Sequence, residues 1–123
     1  MILVDTSVWI DHLRQSNEHL VRLLGVGQVA AHPYVTGELA LGNLQNRSAL
    51  LGYLKDLPQA FLATDDEVLQ FVEVNALFGR GIGYIDAHLL AAVRLEPGTK
   101  LWTRDKRLLS VSTDLGLAYL AAH

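Results

Sequence analysis

Cysteine is absent from the 123 residues, which excludes disulfide staples and any thiolate metal site. No apolar stretch approaches the roughly 18–20 residues needed to cross a bilayer. The opening run Met1–Val4 is too short for a signal peptide and no basic residue precedes it, so the cytoplasm is the expected location and no membrane partner is expected. Repeats, low-complexity segments and linkers are missing as well. Charge is sparse, with 19% of residues charged against about 25% in typical soluble domains. The net charge of −3 lacks the basic footprint of a general nucleic-acid binder.

What is plentiful is apolar. Half of the residues are hydrophobic, enough for a packed core and too many for intrinsic disorder. A surplus remains that a partner or a second copy would cover. The length fits one domain over residues 1–123.

Short apolar runs alternate with helical patterns. A strand over 1–4 ends at Asp5-Thr6-Ser7, where a carboxylate and hydroxyls can cap the helix carrying Val8, Trp9, Ile10 and Leu13. A second helix spans 18–24, with Gly25 as its stop. Residues 28–32 read as strand two, and Pro33 opens a helical segment carrying Glu38, Leu41 and Leu44. A helix over 48–57 stops before Pro58. Phe61–Ala63 reads as a short third strand, followed by a helix from Asp65 to Gly79 whose acidic start suits the macrodipole. After a glycine loop, 84–95 is strongly helical. Residues 100–103 form a fourth strand, Asp105 begins another helix, and 117–120 form a last strand. Strands alternating with helices imply an α/β fold: a three-layer sandwich around a mostly parallel sheet of four to five strands.

In such sheets functional groups gather beyond the carboxyl ends of the strands. Asp5 follows the first strand, and Asp105 lies just past the fourth. Glu38 falls in the first turns of the helix after strand two, and Asp86 in the first turn of the helix leading to strand four. Each acid has a bland explanation. Asp5 and Asp105 suit helix N-caps, Asp86 answers a helix dipole, and Glu38 fits an ordinary surface. Their joint placement weighs more. Hard cations such as Mg²⁺ or Mn²⁺ need several oxygen ligands at one point, whereas four crowded carboxylates without a cation repel one another. Ser7 and Thr103 accompany the acids as hydroxyls able to hydrogen-bond a carboxylate. Asp11, about one and two-thirds helical turns past Asp5, points off that face.

The segments Ile-Leu-Val-Asp-Thr-Ser-Val-Trp-Ile (2–10), the Glu38 helix, Gly-Ile-Gly-Tyr-Ile-Asp-Ala-His-Leu-Leu-Ala-Ala (81–92) and Leu-Trp-Thr-Arg-Asp-Lys-Arg-Leu (101–108) together resemble PIN-domain proteins. Within that family they are most similar to VapC-type toxins of bacterial toxin–antitoxin pairs. The resemblance runs over essentially the whole length. It implies a PIN-like fold and a Mg²⁺- or Mn²⁺-dependent endoribonuclease. Carried over residue by residue, the family's acidic quartet falls on Asp5, Glu38, Asp86 and Asp105, as catalytic and metal-binding residues, with Ser7 and Thr103 in support. It also implies a homodimer, and inhibition by a cognate antitoxin whose tail enters the active-site groove and presents an arginine.

The mechanistic expectation is cation-assisted hydrolysis of RNA phosphodiesters, with Arg80, Arg104, Lys106 and Arg107 as phosphate contacts that read no sequence. A charge run such as 104–107 is more often a solvated helix surface. Other chemistries fit less well. His12, His19, His32, His88 and His123 show no tight metal spacing. Gly79, Gly81 and Gly83 follow a helix rather than a strand and lack a Lys-Ser/Thr pair, so they read as a flexible turn. Trp9 and Trp102 sit in apolar segments and read as core. Two rivals stand beside the nuclease. One is a magnesium-dependent phosphatase with Asp5 as nucleophile, although Ser7 occupies the position where such an enzyme wants a second acid. The other is a non-catalytic module gripping a basic peptide with its acidic rim.

Overall fold

A computed structural model describes residues 1–121; His123 lies outside the described residues. Ile2–Val4 forms strand β1, and Leu3 and Val4 are fully buried, as an unbroken apolar run in a parallel sheet requires. The chain leaves β1 at Asp5, in extended backbone, and enters helix α1, Thr6–Arg14. Helix α2 covers Glu18–Gly25, with Asn17 accepting a capping bond from the Leu20 N–H. Gly25 lies within that helix. The reversal comes at Gly27, whose φ of +70° only glycine adopts freely.

Val29–Ala30 is strand β2, followed by helix α3, Pro33–Ala40, with Pro33 in its first turn. Helix α3 is shorter than expected, and Leu41 beyond it is 91% exposed. Helix α4 is Arg47–Asp56. Helix α5, Asp65–Val74, opens with a full capping box between Thr64 and Glu67. It ends well before Gly79, because Ala76 turns to a φ of +50°. Helix α6, Tyr84–Leu95, buries every residue from Ala87 to Val93, the all-round burial of a central helix. Strand β3 is Lys100–Trp102, and helix α7 is Lys106–Asp114 with Asp105 as its N-cap.

Among the described residues three strands run parallel in the order β2-β1-β3, with Leu3 opposite Ala30 on one side and Leu101 on the other. The sheet is therefore narrower than the four to five strands expected. Phe61–Ala63 is not a strand. The backbone beside β2 instead makes one parallel bridge, Ala31 to Gln59, while the Phe61 N–H donates to Glu96 Oε1 at 3.2 Å. At the opposite edge, residues 117–120 contribute a single parallel bridge, Leu101 to Ala118, carried by two backbone bonds of 2.8 Å.

This topology creates a switch point. The connection after β1 runs toward β2, whereas the chain after β3 runs to the bridge on its far side. The crevice between the carboxyl ends of β1 and β3 is where such sheets hold ligands. Asp5 and Asp105 flank it. The core beneath unites Leu3, Trp9, Leu20, Leu54, Leu89, Leu90, Leu101 and Leu108, all at most 1% exposed. Trp102 is also buried within it, so both tryptophans serve the core as expected.

Candidate active site

Asp5 is 6% exposed, so its carboxylate needs donors. It makes no capping bond to α1. Instead its Oδ2 accepts from Ser7 Oγ at 2.8 Å and from Thr103 Oγ1 at 2.7 Å. Each hydroxyl has one proton, and both are given to Asp5, so the 3.4 Å approach between Ser7 and Thr103 is only a consequence of sharing that acceptor. The same hydroxyls accept backbone protons, Thr103 from the Asp105 N–H at 3.1 Å and Ser7 from the Arg104 N–H at 3.0 Å. Two short-range motifs, Asp5-x-Ser7 and Thr103-x-Asp105, thus lock the ends of β1 and β3 to each other.

The other acids are held one oxygen at a time. Glu38 Oε1 accepts from Thr6 Oγ1 at 2.8 Å. Asp86 Oδ2 accepts from the Gly83 N–H at 3.1 Å. Asp105 Oδ1 accepts from the Leu108 N–H at 2.9 Å, capping α7. In all four, one oxygen is oriented by a donor of the chain, and the other accepts no hydrogen bond among the described residues.

The four acids share one electrostatic field. Burial is the main cause that raises the Asp86 pKa above the usual carboxylate range; the Gly83 hydrogen bond pulls it back, and the charges of Asp5, Asp105 and Glu38 push it further up. Among the described residues, no three histidine, aspartate or glutamate side chains are grouped tightly enough to hold a metal ion as they stand. The chemistry of the donor set nevertheless suits a hard divalent cation. All the donors are oxygens, all are acidic, and a cation would relieve the repulsion felt by Asp86.

Residues 2–113 match the family model of the PIN domain. Over 118 residues the chain is 50% identical to "Ribonuclease VapC32" of Mycobacterium tuberculosis, with the same figure in strains CDC 1551 / Oshkosh and ATCC 25618 / H37Rv. The alignment covers 96% of this chain and 95% of the relative. The chain belongs to the PIN-domain family.

In this PIN domain the described histidines serve the fold. His12 Nδ1 accepts from the Asn17 N–H at 2.9 Å, and His32 Nδ1 accepts from the Tyr34 N–H at 3.0 Å. His88 Nε2 lies 3.2 Å from Asp65 Oδ1, away from Asp86 as its position on the helix implied. His19 meets Tyr119 at 2.5 Å. Of the cations, Arg80 pairs with Asp114 and Arg104 with Asp11, both at 2.7 Å, whereas Lys106 and Arg107 make no ion pair among the described residues.

Two contributors escaped the sequence reading. Thr6 orients Glu38 across 32 positions of chain, and its signal was only that a hydroxyl follows Asp5 directly. The Gly83 N–H holds Asp86, so the glycine loop is more than a flexible turn: its last residue sets a carboxylate.

Proposed function

We propose that this PIN domain is a metal-dependent endoribonuclease, the toxin of a toxin–antitoxin pair, with Asp5, Glu38, Asp86 and Asp105 as its catalytic and metal-binding residues. The observation that carries the reading is the shared field of the four acids, each with one oxygen fixed and one left over. Family membership and half-identity to a protein named as a ribonuclease support it. Mg²⁺ or Mn²⁺ held by the quartet would supply an activated water and offset charge on the phosphodiester. The chain itself does the rest. Ser7 and Thr103 aim Asp5, Thr6 aims Glu38, and the Gly83 N–H aims Asp86. Arg104, Lys106 and Arg107 lie next to Asp105 at the start of α7 and are candidates to meet RNA phosphates, whereas Arg80, the fourth candidate, is held by Asp114 at the far end of that helix. Exposed ion pairs such as Arg104–Asp11 are worth only about 0–1 kcal/mol, so a phosphate can compete for either paired arginine.

The same reading includes a cognate antitoxin and a homodimer acting in the cytoplasm on RNA. A groove lined by Ile10, Leu13, Leu39 and Leu44 also carries Glu38 and Arg14. Its apolar wall with one acid and one base suits an amphipathic peptide segment that carries charge of both signs. The phosphatase reading gains nothing from the geometry, because Ser7 spends its proton on Asp5.

The deciding experiment incubates purified, partner-free protein with a mixed cellular RNA pool, in Mg²⁺, in Mn²⁺ and in EDTA, beside Asp86→Asn. The expected result is metal-dependent fragments that vanish in the variant. Intact RNA in both metals, from folded and inhibitor-free protein, would overturn the proposal and favour the binding module.

A further inference from the structure

Arg107 lies two residues past the Asp105 cap, in the first turn of α7. Its side chain rests against the backbone of Gly81. A Cβ added at Gly81 would stand 2.8 Å from Arg107 Cδ, 3.1 Å from Nη1 and 3.2 Å from Nε. Side chains do not pack that closely, and none of the other nine glycines has a neighbour within 3.0 Å of such a Cβ. Gly81 also has a φ of +83°, so both its conformation and its missing side chain are used. The guanidinium stem runs across the loop that leads through Gly83 to Asp86, from the helix that Asp105 caps.

An arginine laid on backbone has lost much of its rotamer freedom before any ligand arrives. Arg107 is exposed and makes no ion pair or side-chain hydrogen bond among the described residues, so its five N–H donors stay available. Arg80 and Arg104 differ, each being engaged by a carboxylate at 2.7 Å. Lys106 is unpaired but has no glycine seat of this kind.

We propose that Arg107, seated on Gly81, is the residue that grips a backbone phosphate of bound RNA beside the acidic cluster. A planar guanidinium matches two phosphate oxygens at once, and pre-seating it lowers the entropy cost of that contact. This rests on the ribonuclease reading and singles out one cation from four that the sequence treats alike.

The test measures binding of a labelled single-stranded RNA of mixed sequence to the full-length chain carrying Asp86→Asn, in Mg²⁺ across a salt series. Adding Arg107→Gln is expected to weaken binding roughly tenfold and to reduce the slope of log affinity against log salt by about 0.7, the loss of one phosphate contact on a single strand. Gly81→Ala should weaken binding when Arg107 is present and add little once it is Gln, the non-additivity of a shared contact. Lys55→Gln, in the last turn of α4, should leave the slope within a few tenths of the parent. If Arg107→Gln does not fold, Arg107→Lys reports instead: the slope is kept while affinity drops several-fold. An unchanged slope and affinity in folded Arg107→Gln, or unchanged affinity in Arg107→Lys, overturns the assignment alone, because RNA cleavage by the unsubstituted chain is scored separately. Failure of that cleavage, or no RNA binding by the parent, removes the ribonuclease reading and this inference with it.

Discussion

A carboxylate at 6% exposure needs donors in place of water, and Asp5 depends on two hydroxyls. Thr103→Val removes one donor and also the acceptor of the Asp105 N–H, so it should destabilise the fold by about 1–3 kcal/mol and depress RNA cleavage. Thr103→Ser, which keeps the hydroxyl, should restore most of both; chemical denaturation and a cleavage assay read the two effects. Asp86 gives the opposite sign. Its raised pKa means the folded state holds the proton more tightly than the unfolded chain does, so its ionised form costs stability at neutral pH. Asp86→Asn should therefore abolish cleavage yet raise the melting temperature of the metal-free protein by a few degrees. A lower melting temperature would mean that the Gly83 hydrogen bond to the carboxylate outweighs the burial and the acid charges that raise this group. At this scale the acids were legible, because carboxylates placed after strands and in first turns stand out in a chain with few charges. Thr6 was not legible, since nothing in its neighbourhood announces a partner 32 residues away.

The elements were legible in proportion to their burial. Helix α6, Tyr84–Leu95, falls where the 84–95 pattern puts it, because its apolar faces leave no other solution. The sheet edges were not, as one backbone bridge on each side has almost no periodicity to read. Phe61–Ala63 has strand-like residues, but its amide is taken by Glu96. Helix α5 stopped early at a positive φ on Ala76, a residue type that gives no warning of it. Helix α3, which carries Glu38, begins on a fully buried imidazole: His32 accepts the Tyr34 N–H on Nδ1. Burial, followed by the nearby His88 charge, lowers the His32 pKa from 6.5 to about 4. A base with a depressed folded-state pKa binds fewer protons folded than unfolded. Stability should therefore fall as pH drops below about 6.5 and keep falling to about 4, by ~3 kcal/mol from this residue. His32→Asn, which preserves a capping acceptor, should flatten much of that slope in urea titrations across this window. An unaltered slope would assign the acid sensitivity to other groups, His12 among them, whose pKa burial also lowers.

For the molecule as a whole, the pattern of connections decides where chemistry can occur. The chain departs from β1 and β3 in opposite directions, and the acids of four distant segments fall around that crevice. The overall charge of −3 argued against a nucleic-acid partner, but four of the thirteen acidic residues belong to this cluster, and a bound dication reverses the field that a phosphate meets there. If this is right, the folded protein binds the cation and the unfolded chain does not, so Mg²⁺ or Mn²⁺ must stabilise the fold by mass action. The gain is about 2.7 kcal/mol at a hundredfold excess over the dissociation constant, and EDTA should reverse it. Matched ionic strength from NaCl screens the acid repulsion without coordinating, so it should give a smaller, non-saturating rise. Asp86→Asn separates the two effects: it should lose most of the saturable part and keep the screening part. Equal stabilisation by Mg²⁺ and by NaCl in the unsubstituted chain would leave the quartet as a repulsive rim with no ion to hold, and the metal-dependent reading of this PIN domain would fail with it.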